Sequence, residues 1–379
     1  MAVLQLLQRA LEHPVARGLH RRAQDVQTIE VEIPTWGKVL LAVSFIGFII
    51  FMSAVEYTLK DVIATLAMVE TPSAAITVSP SIEDGSVDKK EGLLESGPTI
   101  TLVRTKPITS SIRGTIRHLV SEAGRFSRWR GIKALFLYQI STSLVVNILN
   151  PIIPYAIPGR FVVLSAATGA LLANLHATWT HKVISMPSDK SFWQRVVPRS
   201  QWKKLALPAA VESSAKYVSM YIAQGFIVLL GLGSIDKDDM TAYKTGDWVS
   251  LALRGLSVLA ILLSCVLFIV LPAVVTLIRV EASILPEDQD TIVPFDRTFG
   301  GKVVPQILGG TGCVGFLDAW RSFNWEARRR LIKLYAKIAA IIFAISLVAV
   351  HVLAFEVWAV MGSALGKLLA DAQRNGLLQ

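Results

Sequence analysis

Cysteine is scarce in this 379-residue chain: Cys265 and Cys313 are the only two. Two thiols cannot build a disulfide framework or a Cys-rich metal site, so redox and zinc chemistry have no footing. Charge is scarce too, at 17% of residues against 53% hydrophobic. That balance, with a mean hydropathy of +0.51, argues against a soluble globule. Also missing are a Gly-rich phosphate loop, a hydrolase elbow, a metal-spaced cluster and paired catalytic carboxylates. The chain therefore reads as a non-enzyme with no cofactor. His176, His181 and His351 are scattered without ligand spacing and read as satisfied core or interface histidines.

Long apolar runs are what the sequence has in abundance. Six of them, Val39–Thr58, Lys133–Ile157, Phe161–Ile184, Leu205–Leu232, Val249–Ile278 and Ile338–Met361, reach the ~20 residues a helix needs to cross hydrocarbon. They fall into three pairs, each joined by a longer basic loop. The expected fold is all-α: a polytopic bundle of six transmembrane helices in three two-helix units, with amphipathic surface helices, spanning 39–365. An N-terminal amphipathic tail (1–38) and a C-terminal tail (366–379) flank it. In the N-terminal tail Arg9, Arg17, Arg21 and Arg22 accompany Leu4, Leu7 and Leu11 on one helical face, which suits an organelle-targeting or surface-lying helix. No continuous apolar core is present there, so a secretory signal peptide is not expected.

The net charge of +10 would suggest nucleic acid in a soluble protein, but here the division between membrane faces matters more. The three intra-pair loops with their flanks hold 26 of the 38 basic residues. By the positive-inside rule they face the cytoplasm or the mitochondrial matrix, with both termini opposite. The implied partners are the bilayer, anionic lipids at the basic loops and a small solute, with no nucleic acid. Within the first loop, 71–101 is rich in Ser, Pro, Gly and acidic residues and reads as a disordered insertion. After it, Ile112, Ile116, Leu119 and Val120 share one helical face while Arg113, Arg117 and His118 take the other, predicting a surface helix. Phe316, Trp320, Phe323, Ala327, Leu331 and Leu334 predict a second one in the third loop.

Polar groups inside hydrocarbon are costly and usually face a cavity or a partner. In the second run Gln139, Ser143, Asn147 and Asn150 form one stripe; in the fourth, Glu212, Lys216, Ser219 and Gln224 lie close to a common face. Either stripe reads as substrate-binding or as interhelical glue, and Lys216 as an anion site or as half of a pair with Glu212. Arg254 and Glu356 lie at matching depths and suggest an ion pair or residual gate. Ser165, Gly169, Ala173 and Ala177 form a small-xxx-small face that lets another helix approach.

The end of the fifth run, Pro272-Ala-Val-Val-Thr-Leu-Ile-Arg279-Val-Glu281, resembles the signature of the mitochondrial carrier family. In that signature the proline is followed by an acid two residues on, a base five on, an arginine seven on and often a glutamine nine on. Here Pro272 and Arg279 remain, Val274 and Leu277 fill the acid and base positions, and Glu281 replaces the glutamine. The family's matrix-gate ion pair cannot form from these positions. Residues 110–131 are also similar to the carriers' matrix helix with its following turns, and Phe355-Glu356 to the first half of their opposite-side gate motif. The resemblance implies a carrier-like mitochondrial transporter of a small anionic or zwitterionic solute working by alternating access, with substrate on the even-numbered helices. A non-transporting membrane scaffold or receptor, recruiting partners through basic loops, is the other reading. Separately, Leu285–Gly301 (LPEDQDTIVPFDRTFGG) resembles fungal multi-pass proteins, some labelled ubiquitin carrier protein. That label implies a cysteine nucleophile in a soluble α/β fold, and Cys313 has no such setting.

Overall fold

The computed structural model describes residues 35–71, 74–79, 99–104, 106–191, 193–235, 243–304 and 308–362. Both tails lie outside these residues, apart from 35–38. Two compact units are present: Ala54–Ile341, which carries the buried core, and Met1–Ser53 with Ile342–Gln379.

Helices form wherever the apolar runs predict them, although their limits differ. α1 (Thr35–Glu56) passes through a π turn (Tyr57–Ile63) into α2 (Ala64–Val69). The outer part of this run is exposed, as suits a helix that faces lipid, whereas Val62–Glu70 is wholly buried. A two-stranded antiparallel ribbon follows, β1 (Ala74–Ser79) on β2 (Thr99–Arg104), with Ala74 opposite Arg104. It bears on two expectations. The fold is all-helical, as expected, apart from this small ribbon, and the two ends of the expected disordered insertion pair with each other; its middle, 80–98, lies outside the described residues. The β-branched content of AAITVS and TITLVR is the physical reason the ends are extended.

The predicted surface helix is α3 (Ile112–Ala123), capped by Ser111 Oγ accepting from Gly114 N at 3.4 Å. It buries Thr115 and Leu119 while Arg113 and Arg117 stay exposed. α4 (Ile132–Leu149) starts at Gly131, whose φ of +79° favours glycine; a Cβ there would also press on Val183, Trp179 and Tyr57 at 3.1–3.3 Å. The third expected span is broken into α5 (Arg160–Leu171) and α6 (Ala173–Ile184), bent by 64°. α7 (Trp202–Leu229) is a single helix of 28 residues. α8 (Thr245–Cys265) runs through a second π turn (Val266–Val270) into α9 (Leu271–Ser283), with Pro272 directly after the π turn inside the continuous helix. After short α10 (Phe316–Arg321), α11 (Trp325–Met361) is one 37-residue helix. The second predicted surface helix is thus divided: its start is α10, and its basic part from Trp325 onward is continuous with the last span.

Four continuous runs are long and apolar enough to cross a membrane: Thr35–Val69, Arg125–Leu149, Thr245–Ser283 and Trp325–Met361. The bent α5–α6 pair makes a fifth if it counts as one span. The chain is therefore a multi-pass membrane protein by composition and helix length. α7 is long enough, but Glu212, Lys216, Gln224 and its serines hold it below the apolarity of the others.

In the larger unit the C-terminal ends of α2, α6 and α9 are buried together. Ala173, Ala177, Leu205, Ala209, Leu277, Val280 and Phe299 belong to one apolar cluster there. Buried Glu70 closes α2: its carboxylate accepts from Ile108 N at 2.5 Å, Thr109 N at 3.1 Å and Thr109 Oγ1 at 2.5 Å, with the Arg330 guanidinium 3.9 Å away. Arg279, 4% exposed, donates to Met68 O, Ala319 O and Ser322 Oγ at 3.0–3.1 Å and lies over the rings of Phe299 and Phe323. These are fully partnered buried charges, the condition under which an interior tolerates them.

Candidate solute pathway

The polar residues of the larger unit converge just inside the buried helix ends. Glu281 on α9, fully buried, receives His176 Nδ1 at 2.7 Å on one carboxylate oxygen and Thr180 Oγ1 at 2.5 Å on the other. His181 Nε2 bonds the Glu281 carbonyl at 2.7 Å, which fixes that ring as a donor from Nε2. His176 precedes Thr180 by four residues and His181 by five, so successive turns of α6 supply all three groups. His176 makes edge contacts with Tyr138 on α4 and Trp179, each at 5.2 Å. Trp179 in turn donates to Tyr57 OH at 3.4 Å, and Tyr57 OH donates to Arg130 O at 2.5 Å.

Lys216 on α7 pairs with Glu212 at 3.6 Å; its side chain is 68% exposed and that of Glu212 is 14%. Asp61 is half-buried beside the Lys60–Glu56 pair at 3.0 Å. Two polar groups are thus present: Glu281 with His176 and Thr180, and Glu212 with Lys216.

Of the residues expected at the site, the structure brings Glu212 and Lys216 together. Gln139, Ser143 and Asn147 are exposed along one side of α4, next to the half-buried face that carries Tyr138 and Thr142. Gln224 is exposed two turns beyond Lys216, while Ser219 is buried and spends its hydroxyl on Ala215 O at 2.8 Å, so it leaves the expected common face. Arg254 donates to Leu230 O at 3.3 Å, and Glu356 accepts from Ser44 Oγ at 3.0 Å; each finds a partner within its own unit. Pro272 lies at the start of α9, and Arg279 serves its end through carbonyl and hydroxyl oxygens. His176 and His181 are satisfied core histidines, as their lack of ligand spacing implied. Sequence reasoning missed Tyr138 and Glu281 as members of the cluster. The available signal was an acid at the end of an apolar run, as Glu281 is.

Outside the spans, Asp296 accepts from Thr298 N at 2.9 Å, Thr298 Oγ1 at 2.6 Å and Gly300 N at 2.8 Å. Partial burial opposes its charge, but these donors win and hold the carboxyl below its ordinary range. Burial pushes the Cys313 thiol above its ordinary range, which removes nucleophilic character. Among the described residues no group of three or more His, Cys, Asp or Glu side chains is arranged to hold a metal ion.

Comparison with family models, curated proteins and solved structures finds no match to this chain.

Proposed function

We propose that this protein is a carrier-like permease that moves a small solute across a membrane by alternating access, with Lys216 as the docking charge. The observation that carries the reading is the Lys216–Glu212 pair at 3.6 Å, an exposed cation beside a half-buried acid on a long helix packed against α5 and α9. The Glu212 carboxylate sharpens the substrate class within the anionic or zwitterionic range. Lys216 is already paired with Glu212, so a bare anion must displace that acid. A zwitterion gives its carboxylate to Lys216 and offers its amine to the displaced acid, which keeps every charge paired. The same proposal holds six crossings in three pairs, α7 being the polar one, and a mitochondrial membrane.

Anionic lipid headgroups complete the proposed partners. A cleft of about 400 Å³ lined by Arg329, Arg330, Lys333 and Lys337 beside the start of α3 supports that reading. The test of transport is direct. Purified protein in liposomes takes up one or more labelled amino acids or small carboxylates from a panel, and Lys216→Ala lowers uptake at least tenfold. Equal uptake by the variant, or none by either protein, sinks the assignment. Tagging the chain and imaging it beside an organelle marker tests the membrane.

A further inference from the structure

Two loops of the larger unit enclose a cavity of about 650 Å³. One follows α6 and lines it through 194–201; the other follows α9 and lines it through residues between 284 and 303. The ends of the two helices contribute His181 and Ser283. Along one edge the loops are joined: Lys190 pairs with Asp288, and Met186 N donates to Asp290 O at 2.7 Å. Both loops lie outside the apolar runs, so a ligand reaches the cavity from the aqueous phase.

Two guanidinium groups line the cavity, and main-chain oxygens hold both in place. Arg195 donates through Nε to Lys190 O at 2.9 Å and through Nη2 to Ser188 O. Arg297 donates through Nη1 to Leu285 O at 3.3 Å and Pro286 O at 3.1 Å, and through Nη2 to Gln289 O. Carbonyl dipoles orient a guanidinium without cancelling its charge, and each fork has more N–H groups than these bonds use. Among the described residues the ion pairs involve neither arginine. Two acids, Glu287 and Asp290, also line the cavity, but they are exposed where both arginines are half-buried. Water screens the acids, and the cations keep their reach where the dielectric is lower. Buried Val197, Leu285 and Val303 supply an apolar wall.

We propose that this cavity is a binding site for a soluble organic polyanion, a molecule with two or more carboxylate or phosphate groups on an apolar body. Planar forks match the oxygens of carboxylate and phosphate, and two forks fixed in one cavity favour a ligand with more than one anionic group. The volume is that of a small-molecule site, and the apolar wall favours an organic body over inorganic phosphate. Lys216 is not part of the lining, so the inference stands apart from the transport reading.

The test uses the full chain in nanodiscs of phosphatidylcholine alone. ATP with EDTA and citrate are the probes, and inorganic phosphate is the small-anion control. Isothermal titration is expected to show saturable binding of at least one probe, tenfold or more tighter than that of phosphate. Arg195→Gln weakens it about tenfold, the loss of one charge-assisted contact. Glu287→Gln removes an exposed acid from the lining and tightens it several-fold; it decides the question where Arg195→Gln fails to fold. Lys216→Ala and Lys333→Gln leave it unchanged. Absence of saturable binding overturns the site, as does binding that neither Arg195→Gln nor Glu287→Gln moves. Binding that Lys333→Gln weakens as much as Arg195→Gln marks general attraction to basic residues and overturns it too. Probe binding that falls with Lys216→Ala instead belongs to the pathway. Phosphate binding as tight as that of the probes overturns the organic class. Loss of probe binding on adding phosphatidylglycerol to the nanodiscs assigns the arginines to lipid headgroups and overturns the soluble ligand.

Discussion

Arg279 is held at the inner end of α9 with its guanidinium divided over a carbonyl of α2, a carbonyl of α10 and the Ser322 hydroxyl, between two phenylalanine rings. Removing the side chain strands two buried carbonyls, each costing about 1–3 kcal/mol. Arg279→Ala is therefore expected to destabilise the protein by about 3 kcal/mol, read as a fall in detergent unfolding midpoint. Arg279→Lys recovers less than half of it, because one ammonium cannot span a fork's acceptors. A loss under about 1 kcal/mol for the alanine variant would show that water replaces the guanidinium. The arginine was legible in the sequence as a residue of note, seven after Pro272. Its partners were not: Met68 lies 211 positions away, and nothing local in either segment signals the other. The same holds for Glu281, whose buried carboxylate finds His176 across 105 positions.

At the scale of elements, small residues decide how closely α5 and α7 approach. A Cβ built on Gly169 meets the Ala209 carbonyl oxygen at 2.6 Å and collides with the Ser213 side chain. Ser213 can rotate away; a backbone oxygen in mid-helix cannot. Gly169→Ala is accordingly expected to cost about 1–3 kcal/mol through overpacking, despite alanine's better helix propensity. The check is the melting temperature of the purified variant, and a rise would show that the helices separate freely. This contact face was legible from the four-residue spacing of Ser165, Gly169, Ala173 and Ala177, since spacing on a helix is local information. The 64° bend after Leu171 was not. No proline or glycine stands at the break, and an atom from elsewhere supports it: the Trp202 indole donates at 2.7 Å to Ala170 O, a carbonyl that the bend frees. Likewise the strands at 74–79 and 99–104 are separated by 19 residues of polar composition, which hides their pairing from a reading of composition alone.

For the molecule as a whole, α7 decides how many times the chain crosses. Four runs meet the apolarity of a span and the bent pair makes five; an odd total puts the two termini on opposite sides of the membrane, an even one on the same side. α7 measures 28 residues, about 42 Å at 1.5 Å per residue, more than the ~30 Å of hydrocarbon. Its exposed Leu207, Met220, Val228 and Leu229 are apolar, while Ala209, Ala215, Ser219 and Ala223 are buried against neighbours and Glu212 is half-buried. Averaged hydropathy penalises a helix that pairs Glu212 with Lys216 internally, although hydrocarbon meets only its other faces. The proposed total is therefore six, and tags at the N- and C-termini are expected to be cleaved by protease from the same face of sealed vesicles. A protease site inserted at Glu287, an exposed position in the loop after α9, should be cut only from the opposite face. Termini on opposite faces would mean that α7, or the bent pair, does not cross. Lys216 would then lose its place at membrane depth, and the docking role built on it would fall with the topology.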